Sequence, residues 1–96
     1  MRLENYRAVD WYVYIILCTD DSLYTGITTD VERRLSQHAA RRGAKYFRGR
    51  TPRRLMYLES RHTRSSATRR EAMIKKLQRV GKDRLILSKM NEAPTG

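Results

Sequence analysis

The sequence has little cysteine, proline or glycine, which narrows the classes of protein it can represent. Among 96 residues there are 5 Gly, 2 Pro and a single cysteine, Cys18. One thiol cannot form an internal disulfide, which indicates a reducing compartment. The apolar neighbours of Cys18 favour a buried core residue over a nucleophile. The sequence also lacks a glycine-rich phosphate loop and a cluster of zinc ligands, which argues against nucleotide hydrolases of that type and zinc enzymes.

Long hydrophobic runs are missing as well. The longest apolar run, residues 11–18, is far shorter than the roughly 20 residues that a membrane-spanning helix needs. Residues 1–10 are polar with mixed charge, unlike a signal peptide. We therefore expect a cytoplasmic protein without a membrane partner.

Acidic residues are few, and this imbalance indicates a polyanionic partner. The chain has 10 Asp+Glu against 21 Lys+Arg, for a formal net charge of +11. Nucleic acid is the leading candidate, because arginine suits phosphate recognition. The segment 41–54 has many cations, no acidic residue and two aromatics. The residues that we predict to contact nucleic acid, including one from a second basic run, are Arg41, Arg42, Lys45, Tyr46, Arg48, Arg50 and Lys75. The alternative is a solvated basic loop whose aromatics pack into the core.

The hydrophobic pattern predicts two strands, 11–18 and 23–28, joined as an antiparallel hairpin. Thr29 and Glu32 fit a capping box, which predicts a helix from 30 to about 42 with a core stripe of Val31, Leu35 and Ala39. A third strand is expected at 55–59. A long helix capped by Ser65 or Ser66 should run to about 80, where Gly81 breaks it.

The long helix has a predicted core stripe of Ala67, Met73, Ile74, Leu77 and Val80. One further short helix at 82–89 and a loose tail at 91–96 complete the chain. The order β-β-α-β-α-α predicts an α+β fold, a small, at least partly antiparallel sheet covered by helices. We expect one domain over residues 1–96, with its core at about 11–87.

Two hairpin tyrosines, Tyr14 and Tyr24, are the first candidates for chemistry. Tyrosines in strands usually pack, so a shared role has a geometric condition. The two rings lie on one face of the sheet only if the connecting loop has an odd number of residues or a bulge.

The predicted helices carry three further candidates. Arg34 and His38 are one helical turn apart, where an arginine can hold a phosphate and a histidine can move a proton. Glu71 falls at the flank of the second apolar stripe, and its carboxylate could bind Mg²⁺. Each could instead be an ordinary surface or boundary residue.

The ordered set Tyr12-Val13-Tyr14, Tyr24-Thr25-Gly26, Arg34 and Glu71 resembles the GIY-YIG nuclease superfamily. With His38, the segment 23–34 looks like the small stand-alone, excision-nuclease-like bacterial members of that superfamily. The resemblance implies a three-stranded antiparallel sheet flanked by helices. The sequence departs from the motifs at Tyr12 and Thr25, and no asparagine follows Glu71 at 77–82.

The resemblance also implies roles for single residues. Tyr14, Tyr24, Arg34 and His38 fall at catalytic positions, Glu71 at the metal ligand, and Gly26 at a glycine that permits close approach. The implied activity is phosphodiester hydrolysis with one divalent metal ion, Mg²⁺ or alternatively Mn²⁺, with nearby cations lowering the pKa of the tyrosine base, for which Tyr14 is preferred. DNA is favoured over RNA, in repair or recombination.

Two alternatives stay open. One is a non-catalytic module of the same fold that only binds nucleic acid. The other is a nuclease that needs a protein partner for activity or targeting. The sequence does not predict the oligomeric state.

Overall fold

The computed structural model describes residues 10–40 and 50–94. These residues form three strands, β1 (Trp11–Cys18), β2 (Leu23–Thr28) and β3 (Pro52–His62). They also form three helices, α1 (Val31–Ala39), α2 (Arg64–Lys75) and α3 (Arg79–Ile86). The strands make one antiparallel sheet in the order β2-β1-β3. The predicted fold class and the order of elements are confirmed, and β1 is the central strand because both of its faces are apolar.

The register of the β1–β2 hairpin satisfies the condition for a shared face. Tyr14 pairs with Gly26 and Ile16 pairs with Tyr24. The side chains of Tyr14 and Tyr24 therefore project from the same face of the sheet, and Gly26 lies on that face between them. The turn is closed by a 2.9 Å hydrogen bond from the Asp21 amide to the Cys18 carbonyl, with Asp21 in the left-handed region at φ 67°. Arg79 of α3 donates to the Asp21 carbonyl at 2.7 Å and ties this turn to the last helix.

Each face of the sheet is covered by a different helix. On one face, Val13, Ile15 and Tyr57 are buried against Ala67 and Ile74 of α2. On the other, Tyr14, Ile16 and Cys18 are buried, with Leu35 of α1 packed against them. The prediction that Cys18 is a core residue is confirmed, and burial raises the pKa of its thiol.

The start of α1 differs from the prediction. Asp30, not Thr29, is the N-cap, and its Oδ1 accepts a 3.1 Å hydrogen bond from the Arg33 amide. Aspartate is preferred over threonine at the N-cap position. Ala39 is exposed while His38 is fully buried, so the predicted apolar stripe was wrong by one residue at its end. The imidazole occupies the core position that the pattern gave to alanine.

The predicted bounds of the long second helix were also wrong. Its N-cap is Thr63, which forms a capping box with Ser66, and the helix ends at Lys75. Gln78 is extended at ψ 169°, so a separate helix begins at Arg79 and contains Gly81. Because the chain turns away there, the predicted stripe residues Leu77 and Val80 are 40% and 57% exposed. Met73 is 59% exposed because it lies about 120° around α2 from Ala67.

Residues 91–93 do not form the predicted loose tail. The Asn91 side chain accepts from the Leu58 amide at 3.1 Å and donates to the carbonyls of Met56 and Ile86 at 2.8 Å each. The Glu92 carboxylate accepts from the Ser60 amide at 3.0 Å. These contacts satisfy the outer edge of β3, which explains why that strand is longer than predicted. Among the described residues, no helix combines the length and apolarity needed to cross a bilayer.

Candidate active site

Gly26 makes room for the two tyrosine rings on the α1 face of the sheet. A Cβ at this position would lie 2.5 Å from Tyr14 Oη, 2.7 Å from Tyr14 Cζ and 3.1 Å from Tyr24 Cε2. Real side chains do not approach a Cβ this closely. Glycine is therefore required by the packing of Tyr14 over the neighbouring strand, which is the close approach expected from the motif.

His38 joins the two tyrosines in a compact group of rings. Tyr14 Oη and His38 Nε2 share a buried hydrogen bond of 3.1 Å. The Tyr14 ring centroid lies 6.3 Å from those of both Tyr24 and His38, and the Tyr24 and His38 rings meet edge to face at 5.4 Å. Three of the predicted site residues are thus in direct contact, brought together by β1, β2 and α1.

Arg34 lies one helical turn before His38 and faces the same group. Its positive charge acts to lower the pKa of the Tyr14 hydroxyl, and its Nη1 donates to Gln37 Oε1 at 2.9 Å. Gln37 orients this arginine and was not predicted from the sequence, although its position three residues further along the helix was a usable signal. A groove of about 230 Å³ opens beside Arg34, with Trp11, Ile27, Thr28 and Gln37 among its lining residues.

The pKa of Tyr14 is raised, not lowered as expected from its cationic neighbours. Burial is the largest cause and the charge of Tyr24 the next, and together they raise the pKa of Tyr14 to about 12. Arg34 acts in the opposite direction but does not outweigh them. The phenol is therefore protonated at neutral pH, and a proton transfer through it must involve a second group.

His38 is the second group that the geometry provides. Burial and the positive charge of Arg34 lower its pKa from 6.5 to about 4. The imidazole is therefore neutral at pH 7 and can accept the hydrogen bond of the phenol, in the tautomer that carries its own proton on Nδ1, but its lowered pKa makes it a weak base in this state.

Glu71 lies on α2 and acts on Tyr14 through its charge. Its side chain is 21% exposed, and its charge contributes to raising the pKa of Tyr14. Lys75, one turn later, lies 3.5 Å from Glu71 Oε2. A single half-buried carboxylate fits a Mg²⁺ ion, which commonly takes one or two oxygens from protein and the rest from water and phosphate. No group of three or more ligating side chains occurs within 10–40 and 50–94.

The predicted nucleic-acid contacts are only partly described. Arg41, Arg42, Lys45, Tyr46 and Arg48 lie outside the described residues. Arg50 pairs with Asp20 of the hairpin turn at 2.5 Å, and hydrogen bonds from Ser22 and Arg50 lower the pKa of Asp20. Lys75 pairs with Glu71 and keeps half of its side chain exposed. Their contact with nucleic acid stays a prediction.

Comparison with known proteins decides the family. Residues 10–83 match the model of the GIY-YIG catalytic domain. The chain belongs to the GIY-YIG family. A UPF0213 protein of Natronomonas pharaonis is 52% identical over 82% of this chain and 93% of its own length. One from Streptococcus agalactiae is 44% identical over 84% and 92%.

Two solved structures are similar to this GIY-YIG chain. A UPF0213 protein from Bacillus halodurans has a TM-score of 0.54 at 45% identity, covering 85% of this chain and 87% of that one. A protein from E. faecalis has a TM-score of 0.56 at 39% identity, covering 86% and 93%. They support the same α+β architecture. The extent of the domain over residues 1–96 and the roles of the site residues stay predictions.

One group of buried polar residues, on the face of the sheet opposite Tyr14, was missed from the sequence. Glu59 is buried on the α2 face and contacts Tyr57, His62 and Arg70. The alternation of polar and apolar residues in β3 does not reveal it, because a buried carboxylate and a solvated one look alike in such a pattern. With all of these partners, Glu59 is not available as a metal ligand, which leaves Glu71 as the better candidate.

We expect Gly26→Ala to damage the site of this GIY-YIG domain. The new methyl group would displace the Tyr14 ring, which should lower the free energy of unfolding by about 1–3 kcal/mol and weaken any activity that uses Tyr14. Gly81→Ala is the matched control. Its Cβ would lie 3.3 Å from Leu77 Cβ, a contact that a shift of a few tenths of an ångström relieves, and alanine is favoured in a helix. Urea unfolding of both variants measures the difference. Equal stabilities would contradict the packing role of Gly26.

We expect acid to destabilise the fold through His38. The unfolded chain binds this proton near pH 6.5 and the folded chain near pH 4. The unfolded state therefore gains protons first as the pH falls, and stability is lost from about pH 6.5 to 4, by roughly 2–3 kcal/mol for this group. His38→Gln should lose less stability over that window than the parent protein. Parallel pH dependences of the two unfolding free energies would show that His38 does not titrate this way.

Proposed function

We propose that this protein is a metal-dependent endonuclease that hydrolyses phosphodiester bonds, with DNA as its substrate. The observation that supports this most is the buried contact of Tyr14 with His38, with the charges of Arg34 and Glu71 acting on this pair. A buried histidine and tyrosine need no arginine or carboxylate beside them for packing alone. Perturbed pKa values in such a cluster are typical of functional sites.

The proton path begins at the attacking water. Tyr14 accepts a proton from water as its own proton passes along the 3.1 Å bond to His38 Nε2. The water oxygen bonds to phosphorus, the bond from phosphorus to the 3′ oxygen breaks, and that oxygen takes a proton from solvent. The products are a 5′-phosphate and a 3′-hydroxyl. Because neither Tyr14 nor His38 carries charge before the reaction, the path starts from the protonation states that dominate at neutral pH.

Arg34 binds the phosphate whose charge grows in the transition state. Binding of this anion also offsets the positive charge that helps to lower the pKa of His38. The histidine thus becomes a stronger proton acceptor only when substrate is bound. Glu71 would hold the metal ion, Mg²⁺ or Mn²⁺, in place of its contact with Lys75. A bound ion of this kind supplies positive charge to the phosphate and to the leaving oxygen.

The groove beside Arg34 suits the nucleotide next to the scissile phosphate. Trp11 and Ile27 give it apolar walls, while Thr28 and Gln37 give it polar groups. The excess of Lys and Arg in the chain attracts the polyanion as a whole.

The test is cleavage of labelled single-stranded, duplex and branched DNA and of RNA, each with Mg²⁺, Mn²⁺ or EDTA. We expect strand scission in the metal-containing reactions with DNA. Glu71→Gln should reduce it by about 10³-fold, because the carboxylate is the protein's metal ligand. Glu32→Gln, an exposed residue of α1, is the control and should cleave like the parent protein.

The alternatives appear as distinct outcomes of this assay. Nucleic-acid binding without scission on every substrate would indicate a binding module. Scission that arises only after a cell extract is added would indicate a nuclease that needs a partner. Scission of RNA alone would overturn the choice of DNA.

A further inference from the structure

A buried ionic group lies on the face of the sheet opposite Tyr14, and the chemistry above does not use it. Glu59 of β3 is 8% exposed. Its two carboxylate oxygens accept from Tyr57 Oη at 2.5 Å, pair with His62 Nε2 at 2.6 Å and accept from Arg70 Nε at 3.1 Å each. His62 Nδ1 is in turn 2.8 Å from Ser66 Oγ at the start of α2.

The Glu59 carboxylate is ionised in this setting. Burial acts to raise its pKa, but the hydrogen bonds from Tyr57 and His62 and the charge of Arg70 outweigh burial and hold the pKa below its usual value. A buried ion pair of this kind is weak evidence for stability, because desolvation offsets most of the attraction. Its main effect is geometric, because the directional hydrogen bonds between Glu59 and Arg70 hold β3 and α2 in one relative arrangement.

Because Arg70 is next to Glu71 on α2, the contact with Glu59 also affects where the Glu71 side chain points. Ala67 and Ile74 of α2 are fully buried against the sheet. Arg70 and Glu71 lie between them and are separated by about 100° around the helix. Arg70 reaches Glu59 on one side of this buried stripe, while Glu71 acts on Tyr14 from the other.

Any rotation of α2 about its axis therefore moves Arg70 and Glu71 together. A rotation of α2 by roughly 20° would move the tip of a side chain at the helix surface by about 2 Å. A displacement of 1 Å in a catalytic group is enough to cost about 10²-fold in rate. Packing of Ala67 and Ile74 alone leaves such rotation possible, since both contacts are apolar and non-directional.

We propose that Glu59 is a positioning residue, which holds Arg70 and thereby sets the rotation of α2 that directs the Glu71 carboxylate to its metal. The inference rests on the proposed function, because it assigns a role to the Glu71 metal site. It adds a residue on the other face of the sheet that belongs to none of the motifs in the sequence.

The test is Mn²⁺ binding, measured by calorimetry on the whole chain, together with the Mn²⁺ dependence of cleavage. Glu59→Gln keeps the size of the side chain but removes its charge. We expect its Mn²⁺ dissociation constant to rise at least tenfold. Arg70→Gln should weaken binding to a similar extent, and the double variant should be no weaker than either single one, because both changes break the same connection. Arg70→Lys should give a smaller loss, since it keeps the charge but not the fork of donors.

Ile74→Val is the control for general loosening of α2. It removes buried volume from the same helix face without touching the ion pair, and should bind Mn²⁺ within twofold of the parent protein. A loss in Ile74→Val equal to that in Glu59→Gln would overturn the proposal, and so would additive losses in the double variant. If Glu59→Gln does not fold, as judged by circular dichroism, Arg70→Lys provides the decision. Unchanged Mn²⁺ affinity in that variant would overturn the proposal.

Failure of this proposal can be told apart from failure of the nuclease. A parent protein that neither binds Mn²⁺ nor cleaves would overturn both. A parent protein that binds and cleaves beside a Glu59→Gln variant of unchanged affinity would overturn the positioning role alone.

Discussion

Arg34→Ala is expected to lower the single-turnover rate of DNA cleavage by about 10³-fold, which is the usual cost of removing a preorganised cation from a phosphoryl-transfer site. Arg34 donates a hydrogen bond to Gln37, so its guanidinium is oriented before substrate arrives, and its charge acts on Tyr14. The cleavage rate of Arg34→Lys should lie between those of the parent protein and Arg34→Ala, because a lysine keeps the charge but cannot form the bidentate contact.

A second readout distinguishes this role from simple structural damage. Arg34 is one of the two causes that lower the pKa of His38. Arg34→Ala should therefore raise the pKa of His38, measured by NMR titration of the imidazole, while the fold stays intact. Arg84→Ala, an exposed arginine of α3, should change neither the rate nor this pKa. A rate loss in Arg84→Ala similar to that in Arg34→Ala would show that Arg34 contributes only general electrostatic attraction for DNA.

Tyr14→Phe is the second change with a large expected effect. It removes the oxygen that contacts His38 and keeps the ring that packs over Gly26. Loss of a general acid–base group typically costs 10²–10⁴-fold, so we expect cleavage to fall by about 10³-fold. DNA binding should be unchanged, because the hydroxyl is uncharged at neutral pH and Arg34, not Tyr14, is the group proposed to bind the phosphate. Rates under saturating DNA and affinities in the presence of EDTA measure the two effects separately.

Tyr12→Phe is the matched control for this change. Tyr12 lies on the same strand and the same face, two residues before Tyr14. Its hydroxyl has no place in the proposed proton path, so cleavage should stay within about twofold of the parent rate, since a change on this scale is worth only a few tenths of a kcal/mol. A Tyr14→Phe protein that cleaves as fast as Tyr12→Phe would exclude Tyr14 from proton transfer and leave Tyr24 as the remaining tyrosine candidate.

The sheet was predictable from the sequence because its signals are local. Apolar residues on both faces of β1 and a short polar turn were enough to predict a central strand and a hairpin. Whether Tyr14 and Tyr24 share a face depended only on the number of residues in the connecting loop, and the observed register places them on the same face. The helix ends were less predictable, because Thr29 and Asp30 are both good caps and only tertiary packing decides between them.

The electrostatics of the site were not predictable in the same way. From the sequence, cations near Tyr14 suggested a lowered pKa, whereas burial under α1 raises it. Desolvation depends on how elements far apart in sequence pack, and no motif records it. The same reason hid the Glu59 group and the anchoring role of Asn91, since each forms contacts across more than ten residues of sequence.

The most direct test of the nuclease account is single-turnover cleavage of DNA in ¹⁸O-labelled water, with Mg²⁺ or with EDTA, by the parent protein and by Glu71→Gln. We predict Mg²⁺-dependent scission by the parent protein, one ¹⁸O atom in each new 5′-phosphate, and almost no product with Glu71→Gln or EDTA. Tight DNA binding without product, or cleavage that persists equally in Glu71→Gln and EDTA, would contradict the account.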